Sequence, residues 1–316
     1  MKRVLLAGAT GYIGLAVARE LLRNHYEVVA IVRDSAAELP GCEVLQADMS
    51  NATNLQQCLA DVSTDAVISC IASRTGTPAD AQRVDYAANR NLLASATTIG
   101  ASHFILLSAI CVQRPRLAFQ KYKLAFEEEL RNSGLDFTIV RPTAFFKSLS
   151  GQVERLQAGK PFLLFGDGTQ TACKPISATD LAAFIIDCLH NDAARNQVLP
   201  IGGPGAAITP REQGELLFEL LGRTPRFRQV PPGLLAFVAA VLSPAGRFLP
   251  RVAEKAELAR IGHYYATESM LVWDSQHGRY DAEATPETGG DTLRDHYAHV
   301  LRDGITGHEL REHRLF

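Results

Sequence analysis

Gly8, Gly11 and Gly14 are spaced G-x-x-G-x-x-G, between an apolar run ending at Ala7 and the stripe Ile13, Val17 and Leu21. At a strand-to-helix join of this kind, backbone N–H groups can approach a pyrophosphate, and the helix N-terminus adds partial positive charge. The spacing predicts a dinucleotide site, against the plainer alternative of a tight turn without a ligand. In it Gly8 opens the turn, Gly11 permits close approach and Gly14 lets helix pack on strand. Thr10, Tyr12 and Ile13 belong to the same loop. The second constellation lies on a helix at 118–132. A tyrosine four residues before a lysine would be an acid for a carbonyl oxygen. The lysine would hold the ribose and lower the phenol's pKa. Here that pair reads Phe119 and Lys123, so the lysine remains and the acid is absent. Tyr122 is adjacent to Lys123 and faces elsewhere on a helix. This argues against carbonyl, alcohol or epimerase chemistry. It suits reduction of a carbon–carbon double bond, or no catalysis, with Lys123 as cofactor anchor.

The end of the second strand, 27–33, is where the adenosine ribose is met. An acidic residue there favours NAD, whereas Arg33 can pair with a 2′-phosphate. NADPH is therefore the expected cofactor, and Asp34 keeps NADH open. Asp48 is a candidate for the adenine edge and Arg74 for phosphate. Hydride addition to a double bond also requires a proton. Tyr122, Cys173, Lys174, Tyr264 and Tyr265 are the candidates. Lys174 stands first, because the loops after the last regular strand border the substrate crevice. It has two readings, proton donor and binder of a phosphate or carboxylate. Cys173 reads as packing.

No metal site is expected. The run His308 to His313 misses H-E-x-x-H by one residue. His296 and His299 at i, i+3 have no third ligand and read as a solvated face. The six cysteines contain no C-x-x-C pair, so neither zinc nor a cysteine-ligated cluster is indicated, and a reduced, cytoplasmic protein is expected.

The elements that would position these residues follow from periodicity. Strands at 3–7, 27–33, 42–47, 66–72, 103–108 and 136–141 alternate with helices, including 51–62, 80–98 and 118–132. This predicts an α/β fold, a Rossmann-type doubly wound parallel sheet. Residues 1–150 read as an NAD(P)-binding domain to which 172–203 returns. Residues 204–316 read as a smaller, mainly helical substrate-binding region. Thr209-Pro210-Arg211-Glu212 carries a capping-box helix start. Helices at 234–242 and 252–261 are apolar. They read as the core of a cap, or as the wall of a pocket for a large flat substrate. The longer apolar stretch, 234–242, is too short to span a bilayer. With a strand starting at residue 3, no signal or transit peptide is expected. A net charge of −2 over 316 residues gives no support for nucleic-acid binding.

The glycine loop and the Phe119/Lys123 pair resemble the atypical short-chain dehydrogenases, of the NmrA-like and isoflavone-reductase-like kind. Further stretches resemble one family among these, the NADPH-dependent 8-vinyl reductases of divinyl chlorophyllide and protochlorophyllide. They are Arg141-Pro142-Thr143-Ala144-Phe145-Phe146-Lys147-Ser148-Leu149, Gly166-Asp167-Gly168 with Cys173-Lys174-Pro175-Ile176-Ser177, and Tyr264-Tyr265-Ala266-Thr267-Glu268-Ser269-Met270-Leu271-Val272. Gly307-His308-Glu309-Leu310 resembles that family's tail. The resemblance spans essentially the whole chain and points to a bacterial form. It implies reduction of an 8-vinyl group to ethyl during chlorophyll or bacteriochlorophyll synthesis. The cofactor would be NADPH and the partner a tetrapyrrole, with peripheral association at the photosynthetic membrane. The residues agree: there is no carbonyl acid and no flavin or cluster signature, and the C-terminal half is apolar. A vinyl conjugated to a tetrapyrrole accepts hydride because the ring spreads the charge. A non-catalytic NADPH-sensing module and another NADPH-dependent double-bond reductase remain as alternatives.

Overall fold

The computed structural model describes residues 2–33, 38–246 and 248–304. Asp34, His308, His313 and the stretch Gly307 to Leu310 lie outside the described residues. Two compact units are present. The first takes the described residues up to Ser73, Pro78–Pro142 and Ala178–Pro200. The second takes Arg74–Thr77, Thr143–Ser177 and the described residues from Ile201 onward.

The first unit begins with β1 (Arg3–Ala7), α1 (Tyr12–Arg23), β2 (Glu27–Val32), β3 (Glu43–Gln46), α2 (Ala52–Cys58) and β4 (Ala66–Ser69). A helical run follows, made of α3 (Pro78–Ala81), a π-helical segment Gln82–Ala88, and α4 (Asn89–Thr98). Then come β5 (His103–Leu107), α5 (Ala118–Arg131) and β6 (Asp136–Pro142). The sheet order is β3-β2-β1-β4-β5-β6, with the strand Gln197–Ile201 beyond β6. The pairs from β3 to β6 are parallel, with Leu5 opposite both Val29 and Val67. Central strands read Val-Leu-Leu-Ala or Phe-Ile-Leu-Leu because helices cover both faces. The core gathers Leu5, Val29, Val67 and Ile139 with Leu92 of α4 and Phe126 of α5. Edge strand β3 keeps Glu43, Val44 and Gln46 exposed, and its pairing is shorter than the run 42–47 expected from sequence.

The expected α-helix 80–98 is interrupted by the π-helical segment. Asn89 supplies the local reason: its Nδ2 donates to the carbonyls of Asp85 (3.1 Å) and Val84 (3.4 Å), intruding on the helical ladder.

In the second unit, Phe162–Phe165 pairs in parallel with Phe227–Val230, and Val272–Asp274 pairs antiparallel with Arg279–Asp281. Phe146, Val153, Leu164, Leu217, Phe218 and Tyr297 form its core. Thr209 caps the helix Pro210–Leu220 as the sequence indicates. Its Oγ1 accepts from the Glu212 N–H, and the Glu212 carboxylate accepts from the Thr209 N–H at 2.7 Å. His296 differs from expectation. Far from lying on a solvated face, it is half-buried against Phe146, 5.3 Å between ring centroids, and bonded to Ser150 Oγ at 2.9 Å. Burial drives its imidazole pKa down to about 4. His299, one turn on, is exposed.

The apolar helices also differ from a core reading. Helices Gly233–Gly246 and Pro250–Thr267 pack on each other, and Gly246 lies directly against the Ala253 backbone. Their buried positions are mostly small: Ala239 on the first, and Ala256, Ala259 and Gly262 among those on the second. Small residues let the two backbones approach, and several large side chains are left outside. Leu234, Phe237, Val241 and Leu258 are exposed, and Phe248, between the helices, is 85% exposed. Among the described residues, no helix is long and apolar enough to cross a membrane.

Candidate active site

The chain runs from β1 outward to β3, then returns beside β1 as β4. The crevice at the C-terminal ends of β1 and β4 is therefore the topological switch point, where open α/β sheets bind ligands. The glycine turn lies there. Gly8 adopts φ +86°, and a Cβ on it would stand 2.8 Å from the Cys70 carbonyl carbon. A Cβ on Gly14 would stand 2.0 Å from the Gly8 carbonyl oxygen, so α1 can lie this close to β1 only with glycine there. Gly11 is the N-cap of α1 in extended conformation, where a Cβ would stand 3.3 Å from the Gly8 carbonyl oxygen, and no side chain caps the helix. A helix N-terminus without a side-chain cap at the end of the first strand fits a dinucleotide phosphate. Thr10 is exposed, Tyr12 half-buried and Ile13 buried.

Lys123 on α5 is 8% exposed, and its Nζ sits 3.0 Å from Asp85 Oδ1. Asp85 Oδ1 also accepts from the Ser73 N–H at 3.3 Å, which ties the loop after β4 to the π-helical segment. Beneath this pair, Ser69 Oγ at the end of β4 donates to Asn89 Oδ1 at 2.6 Å. Phe119 is half-buried on α5, and Tyr122 turns away toward Tyr86, 6.4 Å between ring centroids.

A second buried charge cluster closes the ends of β5 and β6. Glu127 is fully buried, and its carboxylate accepts from Ser108 Oγ, Arg141 and Arg131. This joins the C-terminal ends of two neighbouring strands to α5. Asp85, Asn89 and Glu127 escape motif reading, yet a signal for them exists. Asp85 and Asn89 share the helical stripe of Leu92 and Ala96, and Glu127 shares that of Lys123 and Leu130. Polar residues on an otherwise apolar stripe require buried partners.

The remaining expected residues are placed as follows. Arg33 is exposed just beyond β2, and its carbonyl accepts from Gln46. Asp48 lies nearby. Hydrogen bonds from the Ser50 hydroxyl and N–H hold its carboxyl below the ordinary range, and the charges of Arg83 and Arg33 add to this. Arg74 is exposed and belongs to the second unit. Lys174, also in the second unit, donates to the Thr285 carbonyl and to Glu287 Oε2, both at 3.2 Å, using two of its three donors. Cys173 is buried, and burial pushes its thiol up to about 12, so it packs as a neutral group. Tyr264 is buried, and Tyr265 packs edge-on against it.

Residues 8–192 match a family described as NAD(P)H-binding. The divinyl chlorophyllide a 8-vinyl-reductase of Cucumis sativus is 48% identical over 99% of this chain and 79% of its own length. The Arabidopsis thaliana protein of the same name is 47% identical over 98% of this chain and 79% of its own. In fold, the chain is similar to an NADPH-dependent quinone oxidoreductase of Escherichia coli solved with NADPH. The TM-score is 0.68 at 20% identity, covering 94% of this chain and 99% of that one. The family match and the similarity over nearly the whole of this chain lead to one conclusion: this chain has an NAD(P)H-binding domain and belongs to the divinyl chlorophyllide a 8-vinyl-reductase family.

Proposed function

We propose that this protein reduces the 8-vinyl group of divinyl chlorophyllide a to ethyl, with NADPH as reductant. The full-length similarity to 8-vinyl-reductases carries the reading. The site chemistry agrees with it, because Lys123 is retained with a buried carboxylate partner while Phe119 occupies the position of a carbonyl acid. Bound NADPH supplies the hydride, and a proton completes the ethyl group.

The protein's contribution is to hold and orient. Gly8, Gly11 and Gly14, with Thr10, Tyr12 and Ile13 around them, take the diphosphate. Lys123 donates to the cofactor ribose from a fixed position. Arg33 pairs with the 2′-phosphate, Asp48 meets the adenosine end, and Arg74 serves phosphate. Lys174 is the pigment-side cation: its remaining N–H serves a pigment carboxylate or delivers the proton. Lys174→Met separates these roles, raising KM for pigment in the first case and lowering kcat in the second. Full activity would remove Lys174 from both. The exposed apolar side chains of helix 233–246 support peripheral association with the photosynthetic membrane that holds such pigments.

The direct test mixes protein, NADPH and divinyl chlorophyllide a and follows the pigment absorption spectrum. A shift to the monovinyl spectrum with matching NADPH oxidation is expected. NADPH binding with no spectral change would support a non-catalytic NADPH module instead. Arg33→Ala should weaken NADPH by about 1.5–3 kcal/mol, the range for a hydrogen bond to a charged group, and leave NADH nearly unchanged.

A further inference from the structure

His263 lies on the helix Pro250–Thr267, and its Nδ1 is 3.1 Å from the carbonyl oxygen of Pro232, the residue before the helix Gly233–Gly246 begins. A carbonyl only accepts, so the proton of the neutral ring sits on Nδ1 and the lone pair on Nε2. Nε2 has no hydrogen-bond partner among the described residues, and on this half-buried side chain it keeps accessible surface. A fixed tautomer, a ring oriented by a backbone carbonyl and an open distal nitrogen are what sets a histidine as a metal ligand. The other described histidines of the second unit are arranged differently. His296 has its Nε2 against Ser150 Oγ, and His277 and His299 are exposed and paired with Asp274 and Asp303. Among the described residues no three metal-ligating side chains gather, so His263 is not part of a cage for a free ion. A single imidazole suffices where the ligand brings a metal whose other positions are already filled. The positions flanking His263 along its helix, Ala259 and Ala266, are small and leave room for a flat ligand centred on Nε2. The helix ends at Thr267, and three residues on Met270 forms a β-bridge with Cys173, the neighbour of Lys174.

We propose that His263 Nε2 is the axial ligand of the magnesium ion at the centre of the pigment and so positions the macrocycle on the second unit. The inference rests on the reading of the substrate as a chlorophyllide. Four ring nitrogens hold that magnesium in the macrocycle plane and leave an axial position for one neutral donor, which water fills in solution. Binding exchanges the water for Nε2, with the ring held by the Pro232 carbonyl on its other side. One axial bond fixes the centre of the macrocycle and leaves it free to turn. A contact at its rim, for which Lys174 is the candidate, then selects the edge that is presented for reduction.

The test measures binding of two pigments to the full-length protein by pigment fluorescence: divinyl chlorophyllide a and its magnesium-free counterpart, divinyl pheophorbide a. The unaltered protein should bind the magnesium pigment about tenfold more tightly than the magnesium-free one. His263→Ala should raise the Kd for divinyl chlorophyllide a about tenfold, and leave those for divinyl pheophorbide a and NADPH within about twofold. Imidazole added to His263→Ala should restore affinity for the magnesium pigment alone, which a merely structural role would not allow. Equal weakening of both pigments would make His263 a contact of the macrocycle without ligation and overturn the proposal, as would unchanged binding of both. Should His263→Ala fail to fold, the two pigments on the unaltered protein decide the matter, and equal affinity for them overturns it. Reduction of divinyl chlorophyllide a by a protein that shows no preference for magnesium would end this inference and leave the proposed function standing. Binding of neither pigment would remove both.

Discussion

Lys123, Asp85 and Glu127 are charged groups buried in the first unit, whereas Leu234, Phe237, Val241 and Phe248 are hydrocarbon exposed on the second. Each set inverts the usual partition, and such inversions carry more information than ordinary burial. Buried charges persist only where partners are supplied. Glu127 has Ser108, Arg141 and Arg131, and Asp85 has Lys123 and Ser73, so the polar groups at the strand ends are held in fixed geometry. Exposed hydrocarbon has the opposite consequence. The helix Gly233–Gly246 carries no charged residue, and its exposed side chains Leu234, Phe237 and Val241 add little to folding and are available to an apolar partner.

The contrast is tested most severely at Glu127. Glu127→Gln leaves Arg141 without its buried carboxylate, and stability to urea should fall by about 3–5 kcal/mol. A loss below about 1 kcal/mol would show that the cluster is solvated after all. Next comes the glycine turn. Gly14→Ala drives a methyl into the Gly8 carbonyl and should destabilise by about 3 kcal/mol, with loss of measurable NADPH binding. Gly11→Ala meets the same oxygen at 3.3 Å and should cost less than about 1 kcal/mol. Similar losses at the two positions would mean that the turn is not the tight join described.

A pH dependence follows from one histidine in each unit. His103 Nε2 lies 2.9 Å from Thr138 Oγ1, which in turn donates to the Ala194 carbonyl. The ring is therefore a neutral donor there, and its Nδ1 is buried without a partner among the described residues. Burial lowers the imidazole pKa of His103 to about 4, and that of His296 to the same value. Unfolded histidine takes its proton near pH 6.5, so the unfolded chain binds protons that the folded chain refuses. The stabilisation is complete above about pH 6.5 and is lost as pH falls toward about 4, amounting to on the order of 2 kcal/mol for the two rings after allowance for solvent screening. Urea titrations at about pH 7 and about pH 4.5 should show the difference narrowing in His103→Gln. An unchanged difference would remove His103 from the account.

The smallest effect on stability is expected on the exposed helices. Phe237→Ser should change unfolding free energy by no more than about 0.5 kcal/mol, yet reduce partition onto phosphatidylglycerol vesicles about tenfold, as removal of one buried phenyl group implies. A large loss of stability with unchanged partition would return this helix to the core.

Much of the first unit was legible along the chain. Glycines at 8, 11 and 14 between strand and helix and strands apolar on both faces are local signals, as is the Thr209 capping box in the second unit, because short-range sterics and hydrogen bonding set turns, caps and periodicity. The absence of a phenol four residues before Lys123 was equally visible, and it restricted the chemistry before any contact was known. Tertiary structure decided the rest. Periodicity shows which face of a helix is apolar but not what covers it, so 234–242 read as the core of a cap or the wall of a pocket, and packing through Ala239 and Gly246 leaves Phe237 outside a core. His296 read as solvated until Phe146 and Ser150 closed on it. The partners of Lys123 and Glu127 come from other elements of the chain, and the acceptor geometry of Asp85 depends on a π-helical segment stabilised by Asn89 and Ser69. Those contacts depend on distances across the fold, which residue order does not contain.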